Sequence, residues 1–326
     1  MSDLSNLERL KLVVVRTKQE APLVRSLLLE SATGCPLPIW APGAHIKVFL
    51  PDGQERCYSL VELTAPPAEN TAPLSYLLGV RLDDAGQGGS RYMHSLNDGD
   101  MLEVSAPQNH FPLSTTDSPI HLIAGGIGIT PLASMAAHLV ATRKPFLLRY
   151  AVRSQDQLAF LADLRTLAGP NLRLHVDDRD GVFPLGDVMR SLPADEPLYL
   201  CGPRVMIDSA ISLARELQWS EGRLRFESFS AAPPAAGDQP FEVVLMTSGR
   251  VLQIPKDRTI LDVMIEQGID ALHDCKRGDC GICQAAVLEG VPDHRDYVLS
   301  EQERASGKLM QICVSRAKSR RLVLDL

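Results

Sequence analysis

The chain of 326 residues is too long for one typical domain and long enough for two or three, each able to bury a core. With 45% hydrophobic and 22% charged residues it is not a disordered chain, and a formal charge of -7 offers none of the basic surface that nucleic-acid binding wants. The start, MSDLSNLERLKLVVV, carries acids early and no apolar core before a small-residue cleavage site, so a signal peptide is not expected and a cytoplasmic location is.

From about Leu10 to Leu113, short β-rich runs (KLVVVRT, AHIKVFL, PLSYLLGVRL) are broken by PDG, PPAEN and NDGD turn clusters, the texture of an antiparallel barrel or sandwich. RCYSL, Arg56 to Leu60, follows the PDG turn, and GQGGSRYMH, Gly86 to His94, lies roughly thirty residues later. An arginine fork can hold a phosphate, and Gly88, Gly89 and Ser90 can offer amides and a hydroxyl to the same group. Tyr58 can lie against a flat ring. Each piece also has a plain reading: a strand arginine in a surface ion pair, and a glycine-rich hairpin.

Ser118 to Thr142 runs 25 residues without Asp, Glu, Lys or Arg, long enough to cross a bilayer. Gly125, Gly126, Gly128 and Pro131 at its centre, with His121 and His138 inside it, point instead to a buried strand, a turn and a buried helix. From Pro119 to about Phe229, apolar strands (HLIAG, FLLRYAV, LRLHV, PLYLCG) alternate with helical stretches (PLASMAAHLVAT, QLAFLADLRTL, RVMIDSAISLARELQ), which implies βαβ units and a parallel sheet. In HLIAGGIGITPL a strand precedes Gly125, Gly126 and Gly128, and a helix follows with Thr130 near its cap. Such a turn can bring amides and a helix N-terminus to a pyrophosphate, or the glycines can serve only tight strand-to-helix packing. LYLCGP, Leu198 to Pro203, ends a second strand on the same expected edge, where ligands bind in open α/β folds.

SAAPPAAGDQP, Ser230 to Pro240, has no hydrophobic period and reads as a linker. Beyond it FEVVLMTSGRVLQIP reads as a hairpin turning at Ser248 and Gly249, TILDVMIEQG as an amphipathic helix closed by Gly268, and RRLVLDL as a final strand. Between them Cys275, Cys280 and Cys283 have the spacing C-x4-C-x2-C, and Cys313 follows in MQICVSR. This is the plant-type ligand pattern for a 2Fe-2S cluster, with Gly278 and Gly281 letting three thiolates curl round one side. The competing readings are a structural zinc site, which usually shows two close cysteine pairs, and free buried cysteines. Cys35, Cys57 and Cys201 fall outside the pattern. Lys276, Arg277 and the run RAKSRR, Arg316 to Arg321, suggest a basic surface that could steer an acceptor.

Taken in order, RCYS, GGS, GGIGITP, LCGP, FESF and the C-x4-C-x2-C…C set resemble the phthalate dioxygenase reductase family, and likewise the vanillate demethylase reductases, over nearly the whole chain. The resemblance implies a multidomain fold: an antiparallel β-barrel flavin domain (residues 1–115), an α/β parallel-sheet NAD-binding domain (116–229), a linker (230–240), and an α+β β-grasp ferredoxin domain of plant type (241–326). It implies that Arg56 holds the flavin phosphate, that Tyr58 and Ser59 contact the isoalloxazine, and that Gly88, Gly89 and Ser90 close the phosphate pocket. Gly125, Gly126, Gly128 and Thr130 would lie along the dinucleotide, with Cys201, Gly202 and Pro203 near the nicotinamide. Glu227 and Phe229, or Phe226, would approach the flavin. Cys57 stands where Thr or Ser is more usual, on a side chain expected to alternate away from the flavin.

The implied activity is electron transfer from NADH through FMN to the 2Fe-2S cluster, held by Cys275, Cys280, Cys283 and Cys313, and on to the Rieske centre of a separate terminal oxygenase. Hydride chemistry of this kind requires no catalytic acid or base from the protein. The lack of an obvious long loop between Ser90 and the next domain, together with the family resemblance, favours FMN over FAD. Arg153 and Ser154 could meet a 2′-phosphate or merely the adenosine, so NADH against NADPH stays open, with family habit on the side of NADH. The expected protein is a monomer that binds no nucleic acid and no membrane. The alternatives are an FAD- and NADPH-using reductase for another acceptor, such as a haem oxygenase, and a redox sensor whose cluster state controls a partner.

Overall fold

The computed structural model describes residues 9–64, 71–84, 86, 88–231 and 235–326. The PPAEN turn and part of the expected linker lie outside them. The chain divides into two compact units, Met1–Glu227 and Ser228–Leu326.

The first unit opens with six antiparallel strands, β1 (Leu10–Ala21), β2 (Val24–Ser31), β3 (His45–Phe49), β4 (Glu55–Val61), β5 (Ser75–Arg81) and β6 (Met101–Val104). They close into a barrel in the order β1-β2-β5-β4-β3-β6. The period-two alternation works as the sequence leads one to expect: Leu12 and Val14 of β1, Leu27 and Leu29 of β2, and Ile46 and Val48 of β3 are fully buried in the barrel core. The PDG and NDGD turns carry Gly53 and Gly99 at positive φ. One stretch departs from its plain reading. GQGGSRYMH is not a hairpin: after Gly88, at φ 88°, the chain enters a short helix, α1 (Gly89–Ser95), which buries Met93. Of the glycines, Gly89 is buried together with Met93.

The chain then forms β7 (Ile120–Gly125), helix α2 (Ile129–Ala141), β8 (Phe146–Val152), α3 (Leu161–Ala168), β9 (Leu172–Val176), the short helices α4 (Asp177–Asp180) and α5 (Leu185–Ser191), β10 (Leu198–Cys201), α6 (Arg204–Glu216) and β11 (Leu224–Glu227). The five strands form a wholly parallel sheet in the order β11-β10-β7-β8-β9. The uncharged run Ser118 to Thr142 thus becomes a buried strand, a turn and α2. No helix among the described residues is long and apolar enough to cross a membrane.

Helix α2 is apolar nearly all round, with Ile129, Leu132, Ala133, Met135, Ala136, Ala137 and Leu139 buried, because it lies between two layers. One core cluster joins Leu122 and Leu148 of the sheet, through Leu132 of α2, to Ala21, Val24, Val61 and Phe111 of the barrel side. A buried Tyr199 on β10 fastens the segment between β6 and β7: its hydroxyl accepts from Ser114 N at 2.7 Å, and its ring stands 5.5 Å from that of Phe111. By contrast α6 buries only Ile207 and Ala210.

The second unit holds β12 (Phe241–Leu245), β13 (Val251–Ile254), α7 (Ile260–Glu266), β14 (Gln284–Glu289), β15 (Pro292–Asp293), α8 (Glu301–Ser306), β16 (Leu309–Gln311), β17 (Arg316–Ala317) and β18 (Arg321–Leu324). Its mixed sheet runs β13-β12-β18-β14-β16, with the last strand of the chain parallel to β12 at the centre. Helix α7 starts at a capping box, Thr259 with Asp262, and lays Ile260, Leu261, Val263 and Met264 on the sheet.

Candidate functional site

The four cysteines of the spacing pattern converge. Cys275, Cys283 and Cys313 are buried and Cys280 is partly so. The Cys275 thiol engages those of Cys280 and Cys313, and Cys283 engages Cys313. Cys313 reaches them from a different stretch, held by Ile312 N donating to Cys283 O at 3.2 Å. The loop curls because Lys276, Gly278 and Gly281 all take positive φ, at 54°, 82° and 79°. For Lys276 that conformation costs about 1 to 2 kcal/mol, a strain tolerated where a site over-determines the backbone. At Gly278 a Cβ would also stand 2.7 Å from Val314 Cγ2 and 3.1 Å from Asp296 Cα.

Hydrogen bonds among the thiols push Cys275 and Cys283 toward the thiolate and their partners Cys280 and Cys313 toward the thiol, and Arg277 N donates to Cys275 Sγ at 3.3 Å. Four convergent soft donors, with an amide aimed at one of them, fit a 2Fe-2S cluster. Burial raises the carboxyl of Asp279, inside the loop, to about 6, and Asp279 accepts from Ser228 N at 3.3 Å.

The basic residues around the loop divide in a way the sequence does not announce. Arg277 turns inward to Asp279, at 3.8 Å, with its side chain only 11% exposed. Arg316 is buried and donates to the carbonyls of Arg258, Gln239 and Pro255, while Arg295 pairs with Asp238 and Asp293. Lys276, Lys318 and Arg320 are exposed.

At the sheet edge, Gly125, Cys201, Glu227 and Arg153 all stand at or just beyond the C-terminal ends of parallel strands, as expected. A Cβ on Gly128 would stand 2.0 Å from Cys201 O, and one on Gly125 2.6 Å from Pro203 Cδ. The packing reading therefore accounts for these two glycines by itself. Gly126 differs: its φ is 56°, and nothing lies within 4 Å of a Cβ there. Thr130 is buried, donates to Ile127 O at 3.0 Å, and packs its methyl near Gly79 of β5. Arg153 is exposed, and the Ser154 hydroxyl donates to Asp156. Glu227 is buried at the end of β11, Phe226 beside it is half-buried, and Phe229 is exposed.

In the barrel, Arg56 and Gly89 are brought together: a Cβ on Gly89 would stand 2.6 Å from Arg56 Cγ. The guanidinium donates to Glu55 O at 2.7 Å and to Gln54 Oε1 at 2.6 Å. Ser90 Oγ accepts from Asp83 N at 3.0 Å, so its hydroxyl also organises the turn before α1. Opposite β3, Arg56 faces Val48 and Tyr58 faces Ile46. Strand alternation puts Arg56 and Tyr58 on one face, with Cys57 and the buried Ser59 on the other. Burial pushes the Tyr58 hydroxyl up from its ordinary range.

A nucleotide-type sheet beside a barrel, followed by a module whose four cysteines converge, defines an electron-transfer oxidoreductase. Residues 122–211 match the oxidoreductase NAD-binding domain, and residues 243–318 match the 2Fe-2S iron-sulfur cluster binding domain. The chain is 35% identical to a carnitine monooxygenase reductase subunit of Acinetobacter baumannii, over 99% of both chains. It is 39% identical to a vanillate O-demethylase oxidoreductase of Pseudomonas putida, over 96% of this chain and 99% of that one. The structure of phthalate dioxygenase reductase, described as modular for electron transfer from pyridine nucleotides to [2Fe-2S], superimposes with a TM-score of 0.75 at 35% identity, covering 98% of each chain. The chain belongs to the phthalate dioxygenase reductase family. It is an NAD-binding, iron-sulfur oxidoreductase, the reductase component of an oxygenase system.

Proposed function

We propose that the protein carries electrons from NADH through FMN to its 2Fe-2S cluster and on to a separate terminal oxygenase with a Rieske centre, acting as a cytoplasmic monomer. The observation that carries this reading is the convergence of Cys275, Cys280, Cys283 and Cys313 in a module that follows an NAD-type sheet. The three-domain division at residues 115, 229 and 240 belongs to the same reading. A bound flavin supplies the exchange between a hydride's electron pair and single electrons.

Within that reading the chain's own residues bind, orient and exclude water. Arg56 holds the flavin phosphate as a charged fork, with Gly88, Gly89 and Ser90 closing the pocket from α1. Tyr58 contacts the ring, Ser59 reaches it through its backbone because its side chain lies on the opposite face of β4, and Glu227 and Phe229 approach it. Gly125, Gly126, Gly128 and Thr130 line the dinucleotide, with Cys201, Gly202 and Pro203 at the nicotinamide. The open, left-handed Gly126 supports a close approach there. Two features support the choice of cofactors. Only Leu96 to Asp100 separate α1 from β6, leaving no long loop after Ser90 to hold an adenylate. The Asp156 carboxylate beside Ser154 opposes a 2′-phosphate and suits ribose hydroxyls, which favours NADH.

The purified protein should show flavin and 2Fe-2S absorbance together, release FMN on denaturation, and turn over NADH steadily with ferricyanide. Release of FAD, or no NADH turnover, would overturn the cofactor assignment. Arg56→Ala should weaken flavin binding by about 1.5 to 3 kcal/mol, the range for bonds to a charged group, so flavin content falls after desalting. Full retention at low protein concentration removes Arg56 from the phosphate site.

A further inference from the structure

Asp296 is buried with its side chain wholly shielded from solvent, in a segment that carries none of the four cysteines. Its Oδ2 accepts from Val298 N at 3.1 Å and Leu299 N at 2.9 Å, and lies 3.2 Å from the Arg304 guanidinium of α8. Its Oδ1 accepts from Ser315 Oγ at 3.4 Å, and Ser315 in turn accepts from Arg295 N at 3.2 Å. Ser315 stands two residues after Cys313. On the other side Tyr297 N donates to Gly278 O at 2.8 Å, and Asp296 Cα closes the space where a side chain on Gly278 would sit. Gly278 lies between Cys275 and Cys280. One carboxylate thus fastens a segment that touches both separate parts of the cysteine set.

Local turn capping does not demand this arrangement. The neighbouring helix α8 is capped by Ser300 and Glu303 at the exposed surface. A buried carboxylate carries a desolvation penalty that only several good partners offset, and here those partners come from three stretches of chain.

We propose that Asp296 is a positioning residue for the cluster site: it locks the Cys275–Cys283 loop against the Cys313 turn, and its buried negative charge holds the cluster's reduction potential down. The electrostatic direction follows from the chemistry. Reduction adds one electron to the site, so a fixed negative charge nearby disfavours it, and removing that charge leaves the Arg304 guanidinium to favour it. The inference rests on the 2Fe-2S reading of the four cysteines.

The test uses full-length holoprotein. Midpoint potential is read by dye-mediated titration, the reduced cluster by its EPR spectrum, and cluster retention by the rate of iron loss to a chelator. Asp296→Asn should move the potential to a more positive value, alter the EPR g-values, and speed iron loss about tenfold. Ser315→Ala keeps the charge and removes the bridge from Asp296 to the Cys313 turn, together with the acceptor of Arg295 N, so it should speed iron loss several-fold with a smaller change in potential. If Asp296→Asn lowered thermal stability alone, with potential, spectrum and iron loss as in the unsubstituted protein, Asp296 would be a turn cap and the proposal would fail. Should Asp296→Asn not fold, Ser315→Ala decides: unchanged iron loss overturns the lock. Absence of a cluster signal from the unsubstituted protein would sink the cluster reading itself, a result distinguishable from either.

Discussion

Gly128 at the sheet edge and Gly278 in the cysteine loop both sit in glycine-rich turns at a candidate site, but they are glycines for opposite reasons. Gly128 has an ordinary helical backbone, φ -60°, and needs space: a Cβ would drive into the carbonyl of Cys201, backbone that cannot step aside. Gly278 needs conformation first, φ 82°: the nearest atom to its Cβ position is the tip of Val314, which can, with Asp296 Cα behind it at 3.1 Å. The sheet edge is thus shaped by two chain segments far apart in sequence pressing together. The cysteine loop is shaped by its own backbone, then fastened from outside.

The sharpest way to separate the two regions is to remove a ligand from the loop. Cys280→Ser should abolish or gravely weaken the cluster, seen as loss of its visible absorbance, while the first unit keeps its own cores and NADH-dependent ferricyanide reduction survives. Electron delivery to the oxygenase should stop. Loss of both activities in a folded, flavin-loaded variant would break the independence of the two regions.

Gly128→Ala comes next. Overpacking against immovable backbone should destabilise the first unit by about 3 kcal/mol. Both tryptophans, Trp40 and Trp219, belong to that unit, so tryptophan fluorescence in urea should shift while the cluster absorbance transition stays in place. Gly278→Ala should show the converse pattern at about 1 to 2 kcal/mol, the usual penalty of a left-handed backbone for a residue with a Cβ. An unmoved cluster transition in that variant would mean that the loop does not depend on its curl.

The smallest effect concerns the exposed charge beside the first ligand. Lys276→Glu should slow electron transfer to the oxygenase several-fold at low salt and converge with the unsubstituted protein as salt shortens the Debye length to about 8 Å and below. Salt-independent rates in both proteins would leave Lys276 a solvated surface residue.

Legibility in the sequence depended on range. The cysteine loop was legible because three ligands and two glycines fall within ten residues, and a local pattern survives without its surroundings. Strands β1, β3, β5 and β7 to β10 were legible from alternation and apolar runs, as were β12, β13 and β18, whereas β11, β14 and β16 were not read. The alternative meanings of Gly125 and Gly128 could not be separated, since the atoms that decide them belong to Cys201 and Pro203, more than seventy residues on. The basic run at Arg316 misled for a related reason: a guanidinium that serves three backbone carbonyls looks, in sequence, like any surface arginine. Asp296 gave no signal at all, because a lone aspartate in HRDY has no pattern that betrays burial.

The core shared by α2, the sheet and the barrel side, with Tyr199 strapped to the segment between β6 and β7, also bears on how such chains can be recombined in evolution. A genetic joint near Glu227 falls where the chain already divides into compact units, each with a core of its own. A joint near Ser114 would cut through one contiguous apolar cluster and bare Val61, Phe111 and the outer face of α2 to water. Barrel and sheet are expected to travel together as one inherited piece, and new acceptors to be reached by exchanging the module joined to its C-terminal end.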